Sequence, residues 1–257
     1  MGSDELSGLA IRAAHRAGDL LLERFRGPAR GVATKSTPTD LVSDADRDSE
    51  RLLIDFISAA RAGDGFLAEE GGSGESASGL RWVIDPLDGT VNFLYGIPLW
   101  CVSVAVEDPA GTVVGVVYDP NRSETFVAVR GQGASLNEGP IGVTQETAMA
   151  QALIGTGFAY DSSIRDFQAE LVRRLLPAVR DIRRLGSAAL DLCALACGRI
   201  DGFYEAHMGP WDRAAGVLIV QEAGGVVSDL PPPTGDGIGV IAANPALHDS
   251  LRDFILS

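Results

Sequence analysis

The sequence predicts a layered fold of helices and sheets, with an α+β subdomain over residues 1–147 and an α/β subdomain over residues 148–257. Two observations support this fold class. The first half holds several β-prone segments in succession, whereas the second half alternates between strand-like and helix-like segments, as α/β layers do. In addition, 46% of the 257 residues are hydrophobic, which is enough for a substantial core.

Helical periodicity predicts two helices at the start of the chain. Leucines and alanines recur at helical spacing over residues 4–26, and the pair Gly27-Pro28 ends that helix. Residues 28–39 are rich in Gly, Ser, Thr and Pro and are predicted as a loop. A second helix is predicted over about residues 43–60.

Short β-prone runs bounded by turn residues predict the strands of the first subdomain. They comprise residues 66–68, 82–84, 99–107, 111–118 and 124–129. Residues 71–79 are predicted as a mobile Gly/Ser loop, and residues 137–140 are predicted as a turn.

Strands and helices alternate in the predicted second subdomain. The predicted strands comprise residues 152–156, 180–184, 201–205, 226–229 and 238–242. The predicted helices comprise residues 162–178, 187–198, 210–224 and 245–256.

The segment Trp82–Phe93 carries the strongest chemical signal. Its hydrophobic run ends on two carboxylates three residues apart, Asp85 and Asp88. The intervening Pro86 stiffens the backbone, and Gly89 allows a tight turn before Thr90 starts a short helix. Two acids, a hydroxyl and free N–H groups at one point are suited to hold divalent cations against a phosphate. Taken alone, the string also fits a plain strand followed by an Asp-Gly turn.

Further acidic side chains stand at the ends of other predicted elements. They are the segment 40–48, the pair Glu69-Glu70 and Asp212. By itself, Asp212 also fits a first-turn acid that is favourable to the helix dipole.

Together, these segments resemble the inositol monophosphatase family. The matching motifs are T-D-L-V-S-D-A-D at 39–46, A-E-E at 68–70, D-P-L-D-G-T at 85–90, G-S-A-A-L-D-L-C at 186–193, W-D-R-A-A-G at 211–216 and E-A-G-G at 222–225. The resemblance covers nearly the whole chain. It implies an αβαβα layered sandwich similar to that of fructose-1,6-bisphosphatase, and a Mg²⁺-dependent, lithium-sensitive phosphatase of inositol metabolism.

The resemblance also implies roles for individual residues. Two or three Mg²⁺ ions would be held by Glu69, Asp85, the carbonyl of Leu87, Asp88 and Asp212. Thr90 and Asp46, with Glu69, would act on the attacking water. Backbone N–H groups of Gly89 and Thr90 would hold phosphate oxygens. The contacts to the sugar-alcohol part of the substrate would come from Asp88, Gly186, Ser187, Ala188, Glu205 and Asp212.

The expected reaction is therefore hydrolysis of myo-inositol 1-phosphate. Histidinol phosphate, fructose-1,6-bisphosphate and 3′-phosphoadenosine 5′-phosphate stay open as substrates, because related folds hydrolyse them. A regulatory interaction protein of the same fold is the alternative of another class, since some bacterial relatives act with the transcription machinery. The family resemblance further implies a homodimer.

Composition narrows the expected partners and location. A net charge of −14 disfavours direct nucleic-acid binding, which depends on Lys and Arg. No apolar stretch is long enough to span a membrane, and the acidic start differs from a signal peptide. Cys101, Cys193 and Cys197 are expected as buried thiols of a reducing cytoplasm. His207 is predicted as a surface-loop residue, with a place at the substrate mouth as the alternative because it is near Asp212 in the sequence. His15 and His248 are predicted on surface helices.

Overall fold

The computed structural model describes residues 2–27, 31–35, 41–231 and 238–257. Thr39 and Asp40 of the 39–46 motif lie outside these residues, as do residues 28–30 and 36–38 of the predicted loop. The helices are α1 (Ser3–Phe25), α2 (Asp44–Ala60), α3 (Thr90–Leu94), α4 (Ser162–Leu175), α5 (Ala188–Ala196), α6 (Pro210–Glu222) and α7 (His248–Leu256). Single 3₁₀ turns lie at Met149–Gln151 and Leu176–Ala178.

Fifteen strands are present in the described residues, and the first ten precede residue 147. They are β1 (Ala33–Thr34), β2 (Leu41–Val42), β3 (Gly65–Ala68), β4 (Ser73–Gly74), β5 (Arg81–Asp88), β6 (Cys101–Asp108), β7 (Gly111–Asp119), β8 (Glu124–Val129), β9 (Ala134–Leu136) and β10 (Gly139–Pro140). Strands β1 and β2 pair with each other, and the other eight form one sheet in the order β10-β9-β8-β7-β6-β5-β3-β4. All neighbours in this large sheet are antiparallel except β3 and β5, which are parallel.

The second sheet comes entirely from residues after 147. Its strands are β11 (Leu153–Thr156), β12 (Asp181–Arg183), β13 (Gly202–Met208), β14 (Val226–Leu230) and β15 (Ile238–Ala243). They lie in the order β12-β11-β13-β15-β14. Strand β11 runs parallel to both of its neighbours, and β15 runs antiparallel to both of its own.

The helices and sheets stack in five layers. Helices α1 and α2 pack on one face of the large sheet, and α5 and α6 pack between the two sheets. Helices α4 and α7 cover the outer face of the second sheet. The predicted αβαβα sandwich is therefore confirmed.

The central helical layer joins the two halves of the chain. Helices α5 and α6 follow residue 147, yet α6 lies directly against β6 and β7 of the large sheet. One hydrophobic cluster accordingly holds residues from both halves, such as Val83 and Leu192. The division into subdomains at residue 147 stays a prediction.

Most predicted elements are present with ends shifted by one to three residues. Helix α4 ends at Leu175 rather than 178 because Pro177 cannot donate the next helical hydrogen bond. The expected Gly/Ser loop at 71–79 contains β4, and the expected turn at 137–140 contains β10. These very short strands carry no periodicity that a sequence pattern could show.

Two expectations about burial were wrong. His248 is buried rather than on the surface, and its Nε2 lies 3.0 Å from the Ser228 hydroxyl oxygen. Cys101 and Cys193 are buried as predicted, but Cys197, just past the end of α5, is only half-buried.

No helix in the described ranges combines the length and the apolar character needed to cross a membrane.

Candidate active site

One cavity of about 570 Å³ gathers nearly all the site residues predicted from the sequence. It lies at the carboxyl end of β5, beside the starts of α5 and α6. The predicted residues that line it are Glu69, Asp85, Leu87, Asp88, Gly89, Thr90, Gly186, Ser187, Ala188, Glu205 and Asp212. Asp46 is the exception, because it is fully buried behind the cavity wall.

The local geometry of β5 presents its two acids to the cavity. Pairing with β6 shifts register between Asp85 and Asp88, at the position of Pro86. Asp85 Oδ1 accepts a hydrogen bond of 3.0 Å from the N–H of Leu87, which holds this bulge. The following Gly89 has φ of 97°, and a Cβ there would lie 2.9 Å from the Leu99 carbonyl oxygen. Glycine is therefore required for the turn into α3.

Thr90 and Asp46 form a buried pair at the start of two helices. Thr90 Oγ1 lies 2.8 Å from Asp46 Oδ1 and 3.0 Å from the carbonyl oxygen of Leu87. The other carboxylate oxygen of Asp46 accepts from the Ser43 N–H at 2.8 Å and from the Ser43 hydroxyl at 2.6 Å. Asp46 is held at both oxygens, so its side chain gives Thr90 a fixed acceptor.

Asp88 connects the large sheet to α5. Its Oδ2 accepts hydrogen bonds from the Ser187 hydroxyl at 2.6 Å and from the Ala189 N–H at 2.7 Å. Burial raises the pKa of Asp88, and these two donors counteract that shift. Ser187, predicted to contact the substrate, therefore has its hydroxyl hydrogen directed to Asp88.

Asp212 stands in the first turn of α6. Its Oδ2 accepts a hydrogen bond of 2.6 Å from the N–H of Gly209, so it also caps the helix. The capping and site interpretations of this residue are thus compatible.

The acids in this cavity are electrostatically unfavourable as a group. Burial raises the pKa of Asp85 well above its ordinary value, and the charges of Glu69, Asp88 and Asp212 raise it further. Burial, Glu69 and Asp88 likewise raise the pKa of Asp212 well above its ordinary value. Burial also raises the pKa of Glu69. The ionised cluster needs nearby positive charge.

Lys35 supplies part of that charge. Its Nζ donates to Glu69 Oε1 at 2.7 Å and also to Glu70 Oε1. Burial lowers the pKa of Lys35, but the two glutamates outweigh burial and the net shift is upward. Sequence reasoning missed this residue, because a lone lysine in a predicted loop carries no pattern. In the described part of the chain, no three His, Cys, Asp or Glu side chains converge closely enough to bind a metal ion as they stand.

A second pair of acids also lines the cavity, Glu205 on β13 and Asp191 on α5. Burial raises the pKa of Glu205 to about 7. Burial and the Glu205 charge raise the pKa of Asp191 well above its ordinary value. The exposed Arg184 lines the same cavity and partly offsets both shifts. Asp191 and Arg184 were not predicted as site residues, since they read as parts of a helix and a strand.

Glycines on β11 and just after it make room for these acids. A Cβ at Gly157 would lie 2.0 Å from Glu205 Oε2, and a Cβ at Gly155 would lie 3.2 Å from Asp191 Oδ1. His207, expected in a surface loop, instead lies within β13 and lines the cavity, which corrects that expectation.

Comparison with known proteins gives one consistent family. The family model described as the inositol monophosphatase family matches residues 3–254. The inositol-1-monophosphatase SuhB of Mycobacterium tuberculosis strain H37Rv is 44% identical over 230 residues, which cover 86% of this chain and 79% of the relative. The putative Nus factor SuhB of Neisseria meningitidis strain MC58 is 42% identical over 241 residues, or 92% of each chain.

Solved structures agree with the sequence matches. The chain is similar to Thermotoga maritima IMPase, with a TM-score of 0.89, 32% identity, and coverage of 98% of this chain and 97% of the other. It is also similar to Mycobacterium tuberculosis SuhB, with a TM-score of 0.85, 37% identity, and coverage of 98% and 96%.

Proposed function

This chain belongs to the inositol monophosphatase family, and on that basis we propose that it is a Mg²⁺-dependent phosphatase that hydrolyses myo-inositol 1-phosphate. The observation that carries the proposal is that one cavity holds the buried acids Asp85 and Asp88 together with the half-buried acids Glu69 and Asp212, next to the Thr90–Asp46 pair. Four mutually repelling acids that line one cavity are suited to bind cations.

The donor set fits Mg²⁺. Carboxylate and carbonyl oxygens are its preferred protein ligands, and the raised pKa values of Asp85 and Asp212 mean that added positive charge would favour their ionised forms. The residues that would hold two or three ions are Glu69, Asp85, Asp88, Asp212 and, through its carbonyl, Leu87. Glu69 would exchange its bond to Lys35 for a bond to an ion. When bound, the ions neutralise phosphate charge and lower the pKa of a water.

We propose that Thr90 orients the attacking water. Thr90 Oγ1 has one hydrogen, and the Asp46 carboxylate is a stronger acceptor for it than the neutral Leu87 carbonyl. The hydroxyl lone pairs are then free to accept a hydrogen bond from a water in the cavity. Asp46 acts through Thr90, because its own oxygens are buried. Glu69, at the cavity wall, would assist on the same water.

The substrate would bind with its phosphate near α3 and its alcohol near β13. The N–H groups of Gly89 and Thr90 would hold phosphate oxygens, as first-turn N–H groups commonly do. The proposed contacts to the alcohol are Asp88, Gly186, Ser187, Ala188, Glu205 and Asp212. Acids at the alcohol end favour a leaving group with several hydroxyls, because each hydroxyl can donate a hydrogen bond to them.

Several accompanying features are part of the same proposal. We infer a homodimer that is inhibited by lithium and works in the cytoplasm, where three free thiols are stable. We also propose that residues 1–147 and 148–257 form two subdomains, since the first range supplies the eight-stranded sheet and the second supplies the five-stranded sheet.

A regulatory role is the second candidate function, because one relative at 42% identity is named a putative Nus factor. The net charge of −14 favours a protein partner over direct contact with nucleic acid.

The test is phosphate release from a panel of phosphate monoesters with and without Mg²⁺. We expect myo-inositol 1-phosphate to be the best substrate. Asp85→Asn should lower kcat by about a thousandfold or more, since its carboxylate would hold the cations that stabilise the transition state. The exposed Asp229→Asn serves as the control and should keep wild-type activity.

Thermal melting provides a readout that does not depend on turnover. After treatment with EDTA, Mg²⁺ should raise the Tm of the wild type and raise that of Asp85→Asn much less. Absence of phosphate release from every ester would contradict the enzymatic proposal. Near wild-type turnover by Asp85→Asn at saturating Mg²⁺ would contradict the role of the carboxylate cluster.

A further inference from the structure

The backbone of His207 is unusual for its position in the fold. The non-glycine residues with positive φ in the described ranges are Ser123, Asn137, Glu138 and His207. The first three lie in turns between strands, whereas His207, with φ of 61°, lies inside β13. Its conformation coincides with a register shift between Glu205 and Met208 in the pairing of β13 with β15. Glycine would adopt this left-handed conformation without strain, so a histidine here is energetically unfavourable.

Among the described residues, the imidazole ring of His207 also has no hydrogen-bond partner. Its Nε2 is buried, and neither ring nitrogen bonds to any side chain or backbone group of the described residues. A buried polar atom that lacks a partner destabilises the folded protein. The strained backbone and the unpaired ring are two separate costs, and no contact within the described fold offsets them. Such a combination is typical of residues kept for ligand binding.

The position of His207 indicates which ligand group it would meet. It lines the same cavity as Glu205, two residues earlier on β13, and as Asp212 at the start of α6. The ring therefore belongs to the same cavity wall as Glu205, at the end proposed to hold the alcohol. The nearby acids Glu205 and Asp191 would repel a second phosphate group, which favours uncharged hydroxyls at this end.

We propose that His207 is a specificity-determining residue whose imidazole hydrogen-bonds a hydroxyl of the alcohol part of the phosphate ester. A neutral imidazole offers one donor and one acceptor, and a hydroxyl can match either of them. Because Nε2 is enclosed by the fold, the hydroxyl would meet Nδ1, the ring nitrogen that the fold does not enclose. This inference rests on the proposed phosphatase function.

The experiment compares two esters and two replacements at this position. Phosphate release is measured for myo-inositol 1-phosphate, which has hydroxyls on its leaving group, and for 4-nitrophenyl phosphate, which has none. His207→Gly removes the ring and relieves the backbone, whereas His207→Asn retains polar atoms and tolerates positive φ. Glu138→Gly, at an exposed turn with φ of 68°, is the control for strain relief alone.

In His207→Gly we expect KM for myo-inositol 1-phosphate to rise about fivefold to tenfold, as loss of one hydrogen bond predicts, with kcat little changed. KM for 4-nitrophenyl phosphate should stay unchanged, and the Tm should not fall. The KM of His207→Asn for myo-inositol 1-phosphate should lie between those of the wild type and His207→Gly. Glu138→Gly should leave the KM for both esters unaltered.

Two results would overturn this inference while leaving the phosphatase proposal standing. One is an unchanged KM for myo-inositol 1-phosphate in His207→Gly. The other is an equal rise in KM for both esters in His207→Gly, since that would show a general effect on the site. A wild-type protein that releases phosphate from neither ester would instead overturn the proposed function, and this inference with it.

Discussion

Replacing Glu205 by glutamine should change the way in which the stability of the protein depends on pH. Glu205 lies in the cavity wall on β13, and burial raises its pKa from an ordinary 4.5 to about 7, with Arg184 opposing the shift and Asp88 adding to it. Glutamine has nearly the same shape as protonated glutamate but cannot ionise. The variant therefore isolates the cost of placing a negative charge at this position.

The sign and size of the effect follow from the two pKa values. In the unfolded chain Glu205 loses its proton near pH 4.5, whereas in the folded protein it does so near pH 7. Its stabilising contribution is therefore complete at low pH and is lost as the pH rises through this window. The full loss corresponds to about 3 kcal/mol. Relief of the repulsion on Asp191 acts in the same direction.

The assay is urea denaturation in EDTA from about pH 5.5 to about pH 8.5, a range that avoids the pI near 4.6. We expect Glu205→Gln to be more stable than the wild type throughout. The difference in the free energy of unfolding should grow by about 2 kcal/mol across this range. Glu23→Gln, on the exposed face of α1, is the matched control and should show no such growth. A constant difference between Glu205→Gln and the wild type would refute the argument that burial opposes ionisation of Glu205.

Two other predictions concern groups that touch the same cavity. Thr90→Ala and Asp46→Asn should each lower kcat for phosphate release by about a hundredfold or more, while the Mg²⁺ affinity measured by calorimetry stays close to that of the wild type. The kcat of the double variant should be scarcely lower than that of either single variant, because the two residues act as a unit. Losses of kcat that multiply in the double variant would contradict this coupling. Gly157→Ala should displace the Glu205 side chain, since a Cβ at position 157 would lie 2.0 Å from Glu205 Oε2. We expect a higher KM for myo-inositol 1-phosphate and a lower Tm in this variant. An unchanged KM would show that Glu205 does not contact the alcohol.

The parts of the site that were predictable are those with local signals. The run from Trp82 to Thr90 combines a buried strand, a proline, a glycine turn and two acids within nine positions, and the structure brings these groups to one cavity. The starts of α2 and α6 were also visible, because Ser43 and Pro210 are typical helix-start residues. Such signals act between near neighbours in sequence and need no knowledge of the fold.

The parts that were missed depend on contacts between distant segments. Lys35 enters the site through its bonds to Glu69 and Glu70, which lie more than thirty residues away. Asp191 lies in an alanine- and leucine-rich helix whose spacing shows only that it is helical. His207 was expected in a loop because no pattern predicts a bulge and a positive φ inside a strand.

The sequence by itself determined the class of fold, the two-sheet division of the strands and the place of Asp85 and Asp88 at the carboxyl end of β5, because hydrophobic periodicity and turn chemistry are local properties. Only the tertiary structure decided how those acids are supported. The hydrogen bond from Thr90 to Asp46 spans 44 positions, and that from Ser187 to Asp88 spans 99. Burial of Asp85, Asp212 and Glu205 in the packed chain then raises their pKa values. Desolvation depends on every segment that excludes water from a site, and this is a property of the packed chain rather than of any segment of its sequence.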